Sequence, residues 1–200
     1  MKLYGASGHG KVIIRILEDL GLNISKIYDD RAPFELLGYK VEKYDGNENE
    51  NFIISVGRNS IRKKIAAKLS SVSFATAVHP TAIIDKTVEI GEGTVVMPGA
   101  IVNVDTKIGK HCIINTGAGI DHECKIEDFA HISPHATLSG NVQVGEGTHI
   151  GSGAVVIPNI KIGKWATIGA GAVIIKDVPD GATVVGNPGK VIKIKPVENE

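Results

Sequence analysis

The second part of the chain carries a repeat with a period of six residues. An aliphatic residue occupies every sixth position from Val78 to Ile174, without exception at the 17 positions of that register. A fixed short period is the sequence signature of a solenoid architecture. The aliphatic series comprises Val78, Ile84, Ile90, Val96, Val102, Ile108, Ile114, Ile120, Ile126, Ile132, Leu138, Val144, Ile150, Val156, Ile162, Ile168 and Ile174.

Two further positions of each hexad have a restricted composition. Four residues after the aliphatic stands a small or compact residue, with Ile160 as the one large exception. Three residues after it, 10 of the 17 positions hold Gly, Asn or Asp, which tolerate a positive φ. Such hexads predict short strands joined by tight corners, and three hexads complete one triangular coil. The pattern therefore predicts a parallel β-helix.

The first part of the chain lacks the hexad and alternates extended and helical patterns. This βαβ…βα order predicts a small α/β domain built on a parallel sheet. We place it at residues 1–77 and the β-helix, with a closing tail, at residues 78–200. The predicted elements are an extended Lys2–Tyr4, a helix near Lys11–Leu20, extended Ile24–Tyr28 and Phe52–Val56, and a helix over Asn59–Leu69.

Composition excludes several classes of function. The 22 basic residues balance the 22 acidic ones, so no global positive field favours nucleic acid. No apolar run is long enough to span a membrane, and none follows Met1 directly. Two cysteines cannot staple a secreted scaffold of 200 residues. We expect a cytoplasmic protein with no nucleic-acid or membrane partner.

A glycine-rich turn, GASGHGK from Gly5 to Lys11, separates the first strand from the first helix. Backbone N–H groups and the helix dipole favour phosphate at such a turn. Its spacing, G-x-x-G-x-G, departs from the dinucleotide fingerprint, so a nucleoside diphosphate fits better than a nicotinamide cofactor. A plain tight turn is the alternative.

Two other strands are followed by polar residues. Asp29 and Asp30 follow the second strand, and Gly57 and Arg58 follow a later one. The carboxyl edge of a parallel sheet is where open sheets bind ligands. For each aspartate, a solvated or capping carboxylate is an equally good reading.

His122 is the candidate catalytic base. It stands two residues after an inward aliphatic, and the adjacent Glu123 favours the protonated imidazole and so raises the basicity of the ring. Gly140 follows His122 by three hexads, so a base and a backbone N–H occupy equivalent places on successive coils. That geometry suits an acyl carbonyl and its oxyanion. An exposed histidine beside a glutamate is the alternative reading.

The other histidines and the cysteines admit structural explanations. His131 and His149 are also separated by one full coil and are expected to stack, as a surface ladder or as part of a site. A zinc site is a rival hypothesis, but His131 and His135 lack a third partner at a fitting spacing. We expect no metal. Cys112 and Cys124 occupy small inward positions and are predicted to be buried filler.

The GASGHG turn, together with a hexapeptide repeat that contains NTGAGIDHEC, closely resembles one family. It is the bacterial nucleotide-sugar acetyltransferases, which include UDP-4-amino-sugar N-acetyltransferases of bacillosamine synthesis and the so-called sialic acid O-acetyltransferases. The likeness runs from Gly5 to about Lys190. It implies a left-handed β-helix, acetyl-CoA as the donor, a UDP-amino sugar held by the front domain, and an active site between the β-helices of a homotrimer.

The resemblance also assigns roles to residues. His122 matches the general base and Glu123 its carboxylate partner; Asn115 matches an amide near the acceptor. The implied nucleotide-sugar pocket contains Ser7, Gly8, His9, Asp29, Asp30 and Gly57. The implied acetyl-CoA site contains His131 beside the thioester, Gly140 facing the acetyl carbonyl, Gly151 and Ser152 along the pantetheine arm, and Lys190 near the phosphates.

Three residues depart from the family pattern. Lys11 replaces a frequent apolar residue, Arg58 stands in a stretch that often reads Gly-Asn-Asn, and Gly189 replaces alanine in the tail motif G-N-P-A-K. The resemblance implies N-acetylation of a UDP-4-amino-4,6-dideoxy sugar by direct transfer. O-acetylation of a sialic acid or polysaccharide sugar is the alternative. A non-catalytic nucleotide-binding module is a third.

Overall fold

The computed structural model describes residues 1–47 and 51–197 and has the two expected parts. A small α/β domain precedes a three-sided parallel β-helix, which confirms the predicted fold class. The boundary between residues 77 and 78 stays a prediction, and the end of the second predicted domain, 198–200, lies outside the described residues.

The front domain is a five-stranded sheet with two helices. Its strand order is β3-β4-β2-β1-β5, and only the pairing of β3 with β4 is antiparallel in the sheet that the structure describes. The carboxyl ends of β1, β2 and β5 therefore meet at one edge. The elements are β1 (Lys2–Tyr4), α1 (Gly8–Asp19), β2 (Lys26–Tyr28), β3 (Phe34–Leu36), β4 (Tyr39–Glu42), β5 (Phe52–Ile54) and α2 (Asn59–Lys68).

The hairpin of β3 and β4 was not predicted from the sequence. Its two-residue turn, Leu37-Gly38, has φ values of 50° and 84°. A two-residue turn in which both residues have a positive φ matches the twist of a hairpin, but leucine rarely adopts a positive φ. The helix α1 also begins at Gly8, ahead of the predicted start at Lys11, because the glycine-rich turn forms its first turn.

The β-helix follows the hexad in the sequence. Paired residues on neighbouring strands are three hexads apart, as for Ile101 and Gly119 or Lys107 and Lys125, so the predicted coil length is confirmed. Its two-residue strands are β6 (Ala77–Val78), β7 (Ile83–Ile84), β8 (Glu89–Ile90), β9 (Val95–Val96), β10 (Ile101–Val102), β11 (Lys107–Ile108), β12 (Ile113–Ile114), β13 (Gly119–Ile120), β14 (Lys125–Ile126), β15 (His131–Ile132), β16 (Thr137–Leu138), β17 (Gln143–Val144), β18 (His149–Ile150), β19 (Val155–Val156), β20 (Lys161–Ile162), β21 (Thr167–Ile168) and β22 (Val173–Ile174).

The three faces of the β-helix differ in what covers them. The domain-facing sheet contains β6, β9, β12, β15, β18 and β21. The apolar sheet contains β7, β10, β13, β16, β19 and β22, and the charged sheet contains β8, β11, β14, β17 and β20. Residues 115–118 and their equivalents join the domain-facing sheet to the apolar sheet; we call this edge the Asn115 corner. Residues 121–124 and their equivalents join the apolar sheet to the charged sheet and form the His122 corner.

The interior of the β-helix contains the two predicted inward positions of each hexad. Aliphatic residues such as Ile120 and Leu138 alternate with small residues such as Ala118, and all are almost completely buried. Cys112 and Cys124 are buried as expected, and burial raises their pKa values to about 12 and about 11. At neutral pH both are thiols that fill space rather than nucleophiles.

The front domain packs on the first coils of the domain-facing sheet. Ile13 and Leu17 of α1 share one apolar cluster with Ala77, Val95 and Ile113 of the β-helix. Such a shared core fixes the position of the front domain against the first coils. The carboxyl edge of the front sheet is thereby held close to His131, one coil above Ile113.

A hairpin ends the described β-helix. β23 (Ala182–Val185) continues the domain-facing sheet, and β24 (Lys190–Ile194) pairs with it antiparallel after the Gly186–Gly189 turn. A Cβ on Gly189 would lie 2.8 Å from Cδ1 of Ile174, so an alanine at this position would require the Ile174 side chain to shift. Among the described helices, none is long and apolar enough to cross a membrane.

Candidate active site

Two helices begin side by side at the carboxyl edge of the front sheet. α1 follows β1 and α2 follows β5, and the two strands are parallel neighbours. Neither described helix has a side-chain cap or an acidic residue in its first turn; the cap positions are Ser7 and Arg58. Uncapped N–H groups and two positive helix ends thus point at one region, which favours a diphosphate.

The glycine-rich turn is held tightly against the end of β5. Gly5 has a φ of +117°, and a Cβ there would lie 2.5 Å from Cγ2 of Val56. The hydroxyl of Ser55 donates a hydrogen bond of 2.6 Å to the carbonyl of Gly5. The predicted binding residues Gly8 and Gly57 are brought to the same edge by this packing.

The two aspartates at this edge have different environments. The buried carboxylate of Asp29 accepts hydrogen bonds from the Ala6 amide at 2.8 Å and from Arg31, whose guanidinium is the main reason that its pKa falls to about 2. Asp29 therefore braces the turn. Asp30 is exposed, and Tyr4 donates to it at 2.6 Å, lowering the pKa of the carboxyl. Asp30 is the carboxylate that a ligand can reach.

An open cleft of about 650 Å³ lies between the front domain and the β-helix. Gly57, Arg58 and Ser60 line it on one side, and His131 and His149 on the other. The cleft joins the start of α2 to the domain-facing sheet. A ligand held at the helix starts can therefore extend along the β-helix.

His131 is held in one protonation state by its neighbours. The amide oxygen of Asn115 accepts from the Thr116 N–H at 2.8 Å, which directs the Asn115 amide nitrogen to Nε2 of His131 at 2.9 Å. Nε2 is then the acceptor, and the ring proton is assigned to Nδ1. Burial, aided by the neighbouring His149 and then by the positive charge of Arg62, lowers the pKa of His131 to about 3. The ring is neutral at physiological pH.

The predicted stacking of His131 and His149 is confirmed. Their rings lie 4.7 Å apart and are inclined by 15°. The hydroxyl of Ser133 lies 2.7 Å from Nε2 of His149, which repeats the link between Asn115 and His131 one coil higher. Both rings line the cleft, so a role for the pair in the site stays a prediction.

His122 projects from its corner with one ring nitrogen engaged. Its Nδ1 lies 2.9 Å from Oε2 of Glu123, and its side chain is half exposed. A hydrogen bond to the carboxylate places the proton on Nδ1 and leaves the Nε2 lone pair available. This arrangement can remove a proton from a bound nucleophile.

Gly140 lies directly beside the His122 ring on the next coil. A Cβ at Gly140 would be 2.5 Å from Cε1 and Nε2 of His122, so only glycine leaves room for the ring. The neighbouring Ser139 amide donates to the carbonyl of Val156, and the Asn141 amide donates to the carbonyl of His122. The Gly140 N–H has no partner among the described residues. A free ring nitrogen and a free amide are thus adjacent, as the three-hexad spacing predicts.

Replacing Gly140 with alanine is expected to lower kcat by about 10²-fold, because a misplaced catalytic group costs about that much. The added methyl must displace the half-exposed His122 ring, while the fold is retained. Gly21→Asn is the matched control, since Gly21, just after α1, has a φ of +66° and nothing within 4 Å of its Cβ position. Steady-state kinetics and circular dichroism check both variants. Wild-type turnover in a folded Gly140→Ala protein would contradict this placement.

The candidate residues occupy two separate edges of the β-helix. Asn115, Gly151 and Ser152 lie on the Asn115 corner, whereas His122 and Gly140 lie on the His122 corner. The apolar sheet separates these edges, so one chain does not bring His122 to Asn115 and His131.

Two family models match the chain. Residues 1–69 match the PglD N-terminal domain, and residues 141–176 match the bacterial transferase hexapeptide (six repeats). The UDP-N-acetylbacillosamine N-acetyltransferase of Bacillus subtilis (strain 168) is 42% identical over 105 residues, 46% of this chain and 48% of that protein. The match thus spans about half the length of this curated relative.

Solved structures align over nearly the whole chain. A variant of perosamine N-acetyltransferase from Caulobacter crescentus, solved with CoA and GDP-perosamine, has a TM-score of 0.92 at 34% identity and covers 96% of each chain. The acetyltransferase domain of PglB from Neisseria gonorrhoeae FA1090, solved with acetyl coenzyme A, has a TM-score of 0.89 at 36% identity, covering 96% of this chain and 98% of that chain. The chain belongs to the bacterial nucleotide-sugar acetyltransferases. The family resemblance is therefore confirmed, including its hexapeptide β-helix.

Three residues of this acetyltransferase that the sequence analysis singled out lie at the surface. Lys11 is exposed on the first turn of α1, and Arg58 is the exposed cap residue of α2 beside the cleft. Lys190 is exposed at the start of β24. The expected contact of Lys190 with the phosphates of acetyl-CoA stays a prediction.

Sequence reasoning missed the polar side chains that join the front domain to the β-helix. Arg62 is only 1% exposed, and Asn59 donates to the carbonyls of Gly147 and Thr148 at 3.0 and 3.2 Å. The available signal was helical spacing, because Arg62 falls on the same stripe of α2 as the buried Ile65 and Leu69. An arginine on an apolar stripe indicates a buried polar contact.

The described residues contain no group of three or more His, Cys, Asp or Glu side chains placed to hold a metal ion. His131 and His135 do not converge on a third ligand there. His135 instead lies over Gly117 of the preceding coil.

The acetyltransferase is expected to lose stability as the pH falls from about 6.5 to about 4. Burial lowers the pKa values of His9 and His111 to about 4 and of His131 to about 3, from 6.5. The unfolded chain then binds more protons than the folded one, so each histidine removes up to about 1.4 kcal/mol per pH unit. Urea unfolding at pH 7, 6 and 5 measures the slope. A His111→Leu variant should show a shallower slope, and an unchanged one would contradict the assignment.

Proposed function

We propose that this protein transfers the acetyl group of acetyl-CoA to the amine of a UDP-4-amino-4,6-dideoxy sugar, by direct attack and without an acyl-enzyme. The observation that carries the proposal is the His122 ring, whose Nδ1 is engaged by Glu123 while Nε2 lies beside the free amide of Gly140. A base and an oxyanion donor side by side are what amide formation from a thioester requires.

The nucleotide sugar is proposed to bind where α1 and α2 begin. Its diphosphate would meet the uncapped N–H groups after Ser7 and Arg58, with Gly8, His9 and Gly57 forming the walls. The exposed carboxylate of Asp30 is available to the nucleoside. The Bacillus relative is named for a UDP sugar and the Caulobacter structure holds a GDP sugar, so uridine is the finer part of the proposal.

The proposed reaction uses two groups at the His122 corner, Nε2 of His122 and the N–H of Gly140. Nε2 of His122 takes a proton from the sugar amine as its nitrogen bonds to the thioester carbon, and Glu123 stabilises the imidazolium. The Gly140 N–H donates to the oxyanion of the tetrahedral intermediate. When the intermediate collapses, the C–S bond breaks and the thiolate of CoA leaves with the proton. The products are an amide and CoA thiol.

We propose a homotrimer, because one chain leaves the site incomplete. The apolar sheet and its edge expose aliphatic side chains, and a contiguous apolar patch on a soluble protein marks an interaction surface. A head-to-tail contact that closes as a ring would bring the His122 corner of one copy to the Asn115 corner of the next. The exposed side chains of this face are Ile83, Ile101, Val155, Ile157 and Ile175.

Acetyl-CoA is proposed to lie in the groove between two copies. His131 and Asn115 would flank the thioester, Gly151 and Ser152 continue along the same corner above Asn115, and Lys190 lies farther along near the tail. Gly151 and Ser152 would follow the pantetheine arm, and Lys190 would meet the phosphates. Since acetyl-CoA and nucleotide sugars are cytoplasmic metabolites, we place the reaction in the cytoplasm.

The test is thiol release from acetyl-CoA with matched acceptors. The acceptors are a UDP-4-amino-4,6-dideoxy sugar, the same sugar on GDP, the 4-hydroxy analogue on UDP, and free sialic acid. We expect release with the UDP amine and a product heavier by one acetyl group in mass spectrometry. Release with a hydroxylated acceptor alone would overturn N-acetylation in favour of O-acetylation. UDP binding without release from any acceptor would indicate a non-catalytic module.

A further inference from the structure

Arg62 joins the front domain to the β-helix through one buried guanidinium. On the β-helix side, Nε donates to the carbonyl of His111 at 2.7 Å and Nη2 to that of Phe129 at 2.8 Å. On the front side, Nη1 donates to the carbonyls of Val56 and Gly57 at 3.0 and 3.2 Å. The Arg62 side chain therefore hydrogen-bonds both to the turn after β5 and to the segment that precedes β15.

Asn59 completes the connection. Nη2 of Arg62 also donates to Oδ1 of Asn59 at 2.9 Å, which turns the amide nitrogen of Asn59 toward the β-helix carbonyls of Gly147 and Thr148. The start of α2, where we place the diphosphate, is thus fixed against three successive coils.

The arrangement continues to the Asn115 corner. Nδ1 of His131 is buried and faces the backbone of Gly57, with no hydrogen bond of good geometry among the described residues, and Nε2 accepts from Asn115. Gly57 is held by Arg62, and His131 directly follows the Phe129–Ala130 segment that Arg62 also holds. Arg62 therefore contacts both the Gly57 turn and the segment that carries His131.

Stability alone does not explain a charge at this position. No carboxylate pairs with the Arg62 guanidinium among the described residues, and burial lowers its pKa to about 10. A buried charge carries a desolvation penalty that an apolar side chain on the same helix stripe would avoid. The nearby titratable groups that feel this charge are His9, His111, His131, His149 and Cys112, and it acts to lower the pKa of each.

We propose that Arg62 is the positioning residue that couples the nucleotide-sugar pocket to the acetyl-transfer corner, by holding the Gly57 turn and His131 in a fixed relation. This inference rests on the proposed function. In the chain of contacts, Arg62 touches neither substrate; it acts through Gly57 on the sugar nucleotide and through the β15 segment on His131.

The experiment compares Arg62→Met and Arg62→Lys with Val178→Ala, a cavity variant in the last coil. In Arg62→Met we expect the KM for the sugar nucleotide to rise about 10-fold and kcat to fall about 10-fold, while the KM for acetyl-CoA changes less than about 2-fold. Arg62→Lys, which keeps a charge and one set of bonds, should recover part of both losses. Val178→Ala should lower the Tm without altering either KM.

A spectroscopic readout separates this proposal from the proposed function. The ¹⁵N shifts of the His131 ring report its tautomer without any substrate, and we expect them to move in both Arg62 variants and not in Val178→Ala. Unmoved His131 shifts and unchanged KM values in a folded Arg62→Lys protein would overturn the positioning role. If the wild type transfers acetyl to no acceptor, the proposed function fails, but the His131 shifts and UDP affinity still decide the role of Arg62.

Discussion

Replacing His122 with alanine is expected to lower kcat by about 10²-fold or more, the range that a general base contributes. The substitution removes the Nε2 lone pair beside Gly140 and leaves the free amide in place. The KM values for both substrates should change little, because the ring is half exposed and braces no binding loop. Glu123→Gln should reduce kcat less, since it weakens the hydrogen bond to Nδ1 without removing the base.

His79→Ala provides the matched control for the loss of a histidine. His79 lies on the first coil, two coils below Asn115 on the same corner, where its Nε2 contacts Asp19 of α1 at 3.1 Å, and it belongs to none of the proposed binding or catalytic sets. We expect near-normal kcat from this variant and a modest loss of Tm. If His122→Ala turned over at a near-normal rate, the base would have to be another group.

Replacing both Ile101 and Val155 with glutamate is expected to convert the trimer into monomers and to lower kcat by about 10²-fold or more. Both side chains lie on the apolar sheet and are 43% and 37% exposed in the single chain, so they can be changed without disturbing the β-helix interior. Burying charges without partners in the interface opposes association. The nucleotide should still bind, because its proposed pocket lies within one chain.

Light scattering and kinetics on the same samples check this expectation. Lys125→Glu is the control, since Lys125 projects from the charged sheet in register with Lys107 and Gln143. It should leave mass and turnover unchanged. A monomeric wild type at micromolar concentration, or monomeric variants that keep full turnover, would refute the shared site.

The β-helix could be predicted because its information is local and repeated. Each hexad has an aliphatic residue at a fixed position, and most also have a residue that tolerates a positive φ and a small residue at two other fixed positions. Because this pattern holds from Val78 to Ile174, it predicts both the coil length and the inward-facing positions. The spacing of three hexads also placed Gly140 beside His122 and His131 beside His149, which the structure bears out. Layering in a solenoid follows directly from arithmetic on residue numbers.

The contacts between the front domain and the β-helix could not be predicted from the sequence. The burial of Arg62 depends on carbonyls from His111 and Phe129, which come close only after the front domain packs on the β-helix. The hairpin turn at Leu37 needs a positive φ that leucine rarely adopts, so no turn rule signals it. Pairing of distant backbone groups leaves no local trace in a single sequence.

We place the active site between the His122 corner of one copy and the Asn115 corner of the next, and mixing two inactive variants tests this arrangement. His122→Ala lacks the base and Asn115→Ala lacks the partner of His131, and each homotrimer alone should be nearly inactive. In an equal mixture of exchanging subunits, about a quarter of the interfaces pair an intact His122 with an intact Asn115. We predict recovery of about that fraction of wild-type thiol release. Native mass spectrometry showing mixed trimers without any recovery would contradict the shared active site.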